Sequence, residues 1–308
     1  MKLVRGQCNA AALNRPCVVT IGNFDGVHRG HQALIAAARR QADALHLPVT
    51  LLTFEPTPLE VFAPQSAPLR VTTLRTKLRD LARYGVDQAL VQRFHPEFAA
   101  TAPAAFVTEL LVRDLGARAV VVGDDFHFGK ARGGDFSLLT AMGEKLGFST
   151  HALGTVAADE MRVSSTAVRQ ALAAADLTTV ARLLGRPYQV LGRVRHGLRL
   201  GRTLDMPTAN LPIHRPLALR HGVYCVELQR GRQTLPGVAN YGVRPTLGGT
   251  PALLEVHCLA DPGNLYGAEV NVTFVKALRD ESRFDSLDAL KAQMRVDREA
   301  ARRHFSYP

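Results

Sequence analysis

Two hydrophobic periods alternate along the first half of the chain. Apolar and β-branched residues crowd together in CVVTIGNF (17–24), PVTLLTF (48–54), QALVQRF (88–94) and ARAVVVG (117–123), each of strand length. Between them lie stretches of helix formers: GHQALIAAARRQADAL (30–45) after a glycine, TTLRTKLRDLARYG (72–85) and APAAFVTELLVRDLG (102–116). In TTLRTKLRDLARYG, Leu74, Leu78 and Leu81 recur at the i, i+4, i+7 spacing of a buried helical stripe, with Thr72 or Thr73 as cap and Gly85 as stop. Strands that are apolar almost throughout have no face to leave in water, so repeated βα units of this kind predict an α/β layer: a parallel sheet with helices on both faces. Ligands of such sheets bind beyond the carboxyl ends of the strands, where Gly22 to His31 falls.

The pattern changes after LTTVARLLGRPYQVLG, where a short helix stops near Gly185 and Pro187 prevents its continuation. YQVLGRVRHG, GVYCVELQRGRQTLPGVAN, ALLEVHCLA and AEVNVTFVKAL are short runs of partial alternation broken by Gly and Pro turns, as in a small antiparallel β-barrel. SLDALKAQMRVDREAARRHF then forms a terminal helix, with Leu287, Leu290 and Met294 on one face. Two domains are expected, 1–184 and 185–308, in keeping with a length of 308 residues.

Composition narrows the function classes. Hydrophobic residues make up 46% of the chain, yet no apolar run approaches the roughly 20 residues that cross a bilayer. The N-terminus lacks the apolar segment of a signal peptide and the Arg- and Ser-rich character of a transit peptide. Cys8, Cys17, Cys225 and Cys258 are far apart and suit neither a disulfide framework nor a zinc knuckle. A cytoplasmic protein with no membrane partner is expected. The net charge of +11 divides into +4 over residues 1–184 and +7 over the rest, without a long basic block. Solvated faces that attract small anions fit this distribution better than a nucleic-acid surface.

The densest chemistry lies in TIGNFDGVHRGHQALI, where His28 and His31 share one face if a helix begins near Gly30. Metal ligation, phosphate binding and helix capping all place histidines at such a mouth. A metal asks for a third ligand or for the His-Glu-x-x-His spacing, neither of which is present. Phosphate fits more of the pattern: free N–H groups and the helix dipole attract an anion, and Gly22, Gly26 and Gly30 let its oxygens approach the backbone. The imidazoles then donate to the phosphates and to charge developing on a leaving pyrophosphate.

GNFDGVHRGH resembles the His-x-Gly-His signature of the nucleotidyltransferases, in the form found in the bifunctional riboflavin kinase/FAD synthetase family of prokaryotes. TFEPTPLEVF, APLRVTTLRTKL, VVGDDFHFGKARGGD, RVSSTAVRQAL, GRTLDMPTANL, GVANYGVRPT, LEVH and GNLYG follow in that family's order, so the resemblance spans nearly the whole chain. It implies a Rossmann-like FMN adenylyltransferase domain over 1–184 and a riboflavin kinase barrel over 185–308. By the same resemblance His28 and His31 act in adenylyl transfer, and Gly22, Asn23, Phe24, Gly30, Asp125, Arg162, Ser164, Ser165, Thr166 and Arg169 surround the ATP. Ser-Ser-Thr before an alanine-rich helix equally suits a plain N-cap. Pro56, Pro58, Phe62 and Phe128 offer apolar walls to a flat flavin, or belong to the core.

In the second half the resemblance gives Gly201, Arg202 and Thr203 to ATP, Thr208 and Asn210 of PTAN to Mg²⁺, and Glu255 of LLEVH the role of base toward the riboflavin 5′-hydroxyl. The small-molecule partners implied are riboflavin, FMN, FAD and ATP. The chain departs from the family pattern at Asp205-Met206 before PTAN, at His127, at Thr57, and after Asp261, where an aromatic is common. Rate, flavin affinity and closure of the kinase loop are the properties these departures touch.

Overall fold

A computed structural model describes residues 1–154, 157–158, 161–196, 208–242 and 252–307. The chain divides into two compact units, residues 1–68 with 77–164 and residues 69–76 with 165–308.

The first unit is built on six parallel strands: β1 (Lys2–Arg5), β2 (Cys17–Ile21), β3 (Val49–Phe54), β4 (Gln88–Gln92), β5 (Ala117–Gly123) and β6 (Ser149–Leu153), in the order β1-β4-β3-β2-β5-β6. Every residue of β2 and β4 is buried, because successive side chains leave the sheet on opposite faces and both faces are covered. Val18, Leu51, Ala89 and Val121 pack under α1 (Arg29–Leu45) together with Leu34, Ile35, Ala38 and Ala42, while their neighbours Val19, Leu52, Leu90 and Val120 enter a second core with Phe106, Leu110 and Leu139. The chain passes to opposite sides of β2, to β3 on one side and β5 on the other. The crevice beyond their carboxyl ends is therefore the place where a ligand can enter an otherwise closed layer.

Other elements of this unit are α2 (Pro58–Phe62), α3 (Leu74–Arg83), which runs across the division of the units, and α4 (Phe136–Leu146). The Thr73 hydroxyl caps α3 by accepting from the Thr76 N–H at 3.1 Å. The buried residues of α3 are Thr76, Lys77, Asp80 and Leu81, so polar groups share the stripe that the leucine spacing predicts. The segment expected to be an ordinary helix over 102–116 begins as a turn at Pro103–Ala105 and continues as a π-helix over Phe106–Asp114. Its wider turn, closed by Leu115 N–H to Leu110 O at 3.0 Å, brings Phe106, Leu110, Leu111 and Leu115 into the core.

The second unit carries α5 (Ser165–Ala173), α6 (Leu177–Leu184) and six antiparallel strands: β9 (Gln189–Arg193), β10 (Ala209–Ile213), β11 (Gly222–Arg230), β12 (Gln233–Gly242), β13 (Ala252–Cys258) and β14 (Glu269–Asp280). The short hairpin β7 (Ala157–Ala158) and β8 (Met161–Arg162) belongs to the first unit. The order is β10-β13-β12-β11-β14-β9, and an isolated bridge between Arg195 and Asn210 brings the two ends of that order together into a nearly closed barrel. Helix α7 (Leu287–Phe305) ends the chain. The expected apolar stripe seats it only in part: Leu290 and Met294 are half-buried, Leu287 is 65% exposed, and the buried residues are Asp297 and Ala301. Asp297 accepts from Arg279 Nε at 3.0 Å and Nη2 at 2.7 Å and from Gln293 Nε2 at 2.9 Å, so a charged clamp seats the helix.

Candidate active sites

The loop that follows β2 carries three residues with positive φ, Phe24 at 51°, Gly26 at 86° and Val27 at 43°. For a phenylalanine and a β-branched valine this left-handed conformation costs about 1–2 kcal/mol each, and it persists only where the surroundings enforce it. Three contacts do so. Lys77 Nζ donates to the Asn23 carbonyl at 3.0 Å, the Thr53 hydroxyl donates to the same carbonyl at 3.3 Å, and Gln32 Nε2 donates to the Val27 carbonyl at 2.8 Å. Phe24 and Val27 are themselves fully buried.

His28, next in the chain, is the N-cap of α1, and its Nδ1 accepts the His31 N–H at 3.3 Å. A neutral imidazole that accepts at Nδ1 carries its proton on Nε2, so the cap leaves Nε2 as the donor. The two imidazoles stack with centroids 3.6 Å apart and 16° between planes, and the Phe24 ring lies 4.9 Å from that of His31. Gly30 leaves room for this stack, since a Cβ there would lie 3.2 Å from His28 Cε1 and Nδ1 and the ring would have to give by a few tenths of an ångström. A pair of aligned imidazoles at a helix N-terminus beyond the strand ends suits an anion. The capping and anion-binding readings of the sequence are thus compatible, because the cap uses only one nitrogen of the His28 ring.

The remaining candidates of the first unit lie in different surroundings. Gly22 is half-buried and close to the Phe24 ring, Asn23 exposes its side chain while its carbonyl is tied down, and Asp125 and Arg162 are exposed. Pro56 and Pro58 are half-buried, Pro58 as the first residue of α2. Phe62 is 62% exposed and meets Phe94 edge-on at 5.6 Å, the outer end of an aromatic series through Phe98 and Phe106 to Phe128. Phe128 is buried in the core and stacked 5.5 Å from Phe126. Ser164 closes the first unit. In the second, Ser165 opens α5, Thr166 is exposed, and Arg169 Nε donates to the Leu69 carbonyl at 2.7 Å.

The barrel brings together residues that are distant in sequence. In β-sheet register Glu255 of β13 lies opposite Asn210 of β10 on one side and Asn240 of β12 on the other. Residues directly opposite in antiparallel strands direct their side chains to the same face, so the three form one polar row across an apolar barrel wall. Asn210 is buried, with its Nδ2 donating to the Thr208 carbonyl at 3.3 Å, while its Oδ1 is buried and has no hydrogen-bond partner among the described residues. A hard oxygen held away from water in this way suits a cation such as Mg²⁺. Gly201, Arg202, Thr203, Asp205 and Met206 lie outside the described residues. Lys77, Thr53 and Asn240 went unnoticed in the sequence. For Lys77 a signal exists, because it precedes Leu81 by one helical turn and so shares its face.

Comparison with known proteins follows this division. The family described as FAD synthetase matches residues 10–167 and that described as riboflavin kinase matches residues 184–305. The bifunctional riboflavin kinase/FMN adenylyltransferase of Escherichia coli K12 is 49% identical, covering 99% of this chain and 98% of its own. That of Pseudomonas fluorescens is 48% identical over 98% and 97% of the two chains, and that of Haemophilus influenzae 42% over 99% and 100%. Among solved structures, a macrolide-efflux protein from Streptococcus pneumoniae is 29% identical, with a TM-score of 0.79 over 98% of this chain and 99% of that one. No helix among the described residues is long and apolar enough to cross a membrane. The chain belongs to the bifunctional riboflavin kinase/FMN adenylyltransferase family.

Proposed function

We infer that this enzyme makes FAD from riboflavin in two ATP-dependent transfers, FMN being the product of the first and the substrate of the second. The observation that carries the reading is the stacked, pre-capped His28–His31 pair beyond the carboxyl end of β2, in a chain 49% identical throughout to a bifunctional relative. In adenylyl transfer a phosphate oxygen of FMN attacks the α-phosphorus of ATP, a new P–O bond forms, and the α–β bridge breaks with its electron pair leaving on pyrophosphate. His28 Nε2–H and His31 meet the charge that grows on the leaving group. Gly22, Asn23, Phe24, Gly30, Asp125, Arg162 and Ser164 are the ATP contacts we assign in the first unit, with Ser165, Thr166 and Arg169 assigned by the family resemblance alone. Pro56, Pro58 and the exposed Phe62 form the flavin side. Phe128 supports it from within the core.

In the barrel, Glu255 accepts the proton of the riboflavin 5′-hydroxyl as that oxygen bonds to the γ-phosphorus and ADP departs. Thr208 and Asn210 would hold Mg²⁺, which would supply charge neutralisation to the ATP phosphates. The buried Asn210 Oδ1, which has no hydrogen-bond partner among the described residues, supports this assignment. We divide the activities at residues 1–184 and 185–308. We place the enzyme in the cytoplasm with small molecules as partners, since its charge is dispersed and shows no nucleic-acid stripe.

Chromatography of products from riboflavin, ATP and Mg²⁺ tests the reading: both FMN and FAD are expected. His28→Ala should stop FAD formation and spare FMN formation, and Glu255→Gln should stop FMN formation while sparing FAD formation from supplied FMN. Equal loss of both activities in either variant would refute two separate sites.

A further inference from the structure

Lys77 is 3% exposed, yet the reading above gives it no task. Burying an ammonium costs several kcal/mol before its partners offset it. What Lys77 holds is informative. Its Nζ reaches the Asn23 carbonyl at 3.0 Å and the Thr53 hydroxyl at 3.3 Å, and Thr53 reaches that carbonyl as well. Asn23 is the last residue before the left-handed run at Phe24, Gly26 and Val27. The far end of that run is held at the Val27 carbonyl by Gln32. The strained turn is thus clamped at both ends, with α3 and β3 gripping one end and α1 the other.

We propose that Lys77 is a positioning residue for adenylyl transfer: its ammonium, with Thr53, locks the Asn23 carbonyl so that the strained turn delivers the His28–His31 pair in its stacked geometry. Releasing this end lets Phe24 relax toward the extended region. The Phe24 ring is in contact with His31, and His31 with His28, so the relaxation passes directly to the donors. Lys77 acts through the loop and touches no reacting atom. The inference rests on the assignment of His28 and His31 to FAD formation.

Lys77→Met keeps the length and bulk of the side chain and removes the ammonium. Because a displacement of about 1 Å in a catalytic array costs on the order of a hundredfold, kcat for FAD formation from FMN and ATP should fall about ten- to a hundredfold. KM for ATP should change less than about threefold, since the phosphate donors are still present, and FMN formation from riboflavin by the same full-length protein should be unchanged. A loss that came only from partial unfolding would vanish at lower temperature, and a loss that does so overturns the proposal. So does kcat within twofold of the parent, or a parallel fall in FMN formation.

Thr53→Val removes the second donor, and its expected loss is about threefold; combined with Lys77→Met it should cost less than the product of the single effects, because both act on one carbonyl. Should Lys77→Met give no folded protein, Thr53→Val decides: unchanged kcat for FAD formation rejects the clamp. His28→Ala, assayed alongside, separates the two claims. If it leaves FAD formation intact, the site assignment has failed; if it abolishes FAD formation while Lys77→Met and Thr53→Val do nothing, only the role of Lys77 has.

Discussion

Replacing Gly30 by alanine sets two effects of opposite sign against each other. Gly30 is the second residue of α1 and does not have a positive φ, so alanine is accepted by the backbone and gains up to about 1 kcal/mol of helix stability over glycine. The new methyl, however, would sit 3.2 Å from Cε1 and Nδ1 of His28, and the ring must give by a few tenths of an ångström. The bond that orients this ring, from His31 N–H to Nδ1, is already 3.3 Å long. Stretching it further removes the cap, at about 1 kcal/mol. The two terms nearly cancel, and the midpoint of thermal unfolding should move by less than about 4 °C. Catalysis has no such compensation if the ring that moves is the donor, as proposed above. FAD formation should fall about tenfold or more, measured as pyrophosphate released from FMN and ATP, with riboflavin phosphorylation by the same protein as internal control. Pyrophosphate release within twofold of the parent would refute the claim that the Gly30 gap sets the His28 orientation.

Asn210→Leu removes a buried oxygen that has no hydrogen-bond partner among the described residues, and such a group costs about 1–3 kcal/mol where it stands. Its unfolding midpoint should be equal or higher while FMN formation is lost across a Mg²⁺ titration; a protein destabilised by more than about 1 kcal/mol would mark the amide as structural instead. Asp297→Ala strips the clamp from Arg279 and should cost about 3 kcal/mol in urea unfolding, whereas a loss below about 1 kcal/mol would show that α7 is seated by other contacts. Burial pushes the thiols of Cys17 and Cys225 up to about 11 and that of Cys258 up to about 12. They stay protonated in the folded protein after the unfolded chain has begun to ionise near pH 9, so the stability they contribute is complete below pH 9 and is lost as pH rises through 11 to 12. The unfolding midpoint should therefore fall between pH 9 and 11, less steeply in Cys258→Ala. At pH 8 a maleimide should label the exposed Cys8 alone, and a second label on the native protein contradicts the burial argument.

The central strands of the first unit were legible because a strand covered on both faces has to be apolar at every position, a property of the local sequence alone. The same holds for the glycines after β2, which announce the turn that leads from the strand into α1. The edge strands β1, β6 and β10 were not legible. KLVR and STHAL are partly exposed, and β10 contains Pro212, so each looks like a loop until a neighbour pairs with it. The π-helix over Phe106–Asp114 has an ordinary helical composition and differs only in which carbonyl each N–H reaches.

Nor does periodicity contain the clamp on α7, whose leucines suggested an apolar seat while Arg279 and Asp297 supply a charged one. The row formed by Asn210, Glu255 and Asn240 joins strands far apart in the chain, and a register shift of one residue would turn each side chain to the other face. Lys77 reads as one more surface lysine until α3 is laid beside the loop it holds. The sequence by itself determined which segments are apolar enough to be buried and where a strand gives way to a glycine-containing turn and a helix, because those are local matters of solvation and backbone freedom. Tertiary structure alone decided which polar side chains meet, because that depends on pairings between distant segments that no local pattern records.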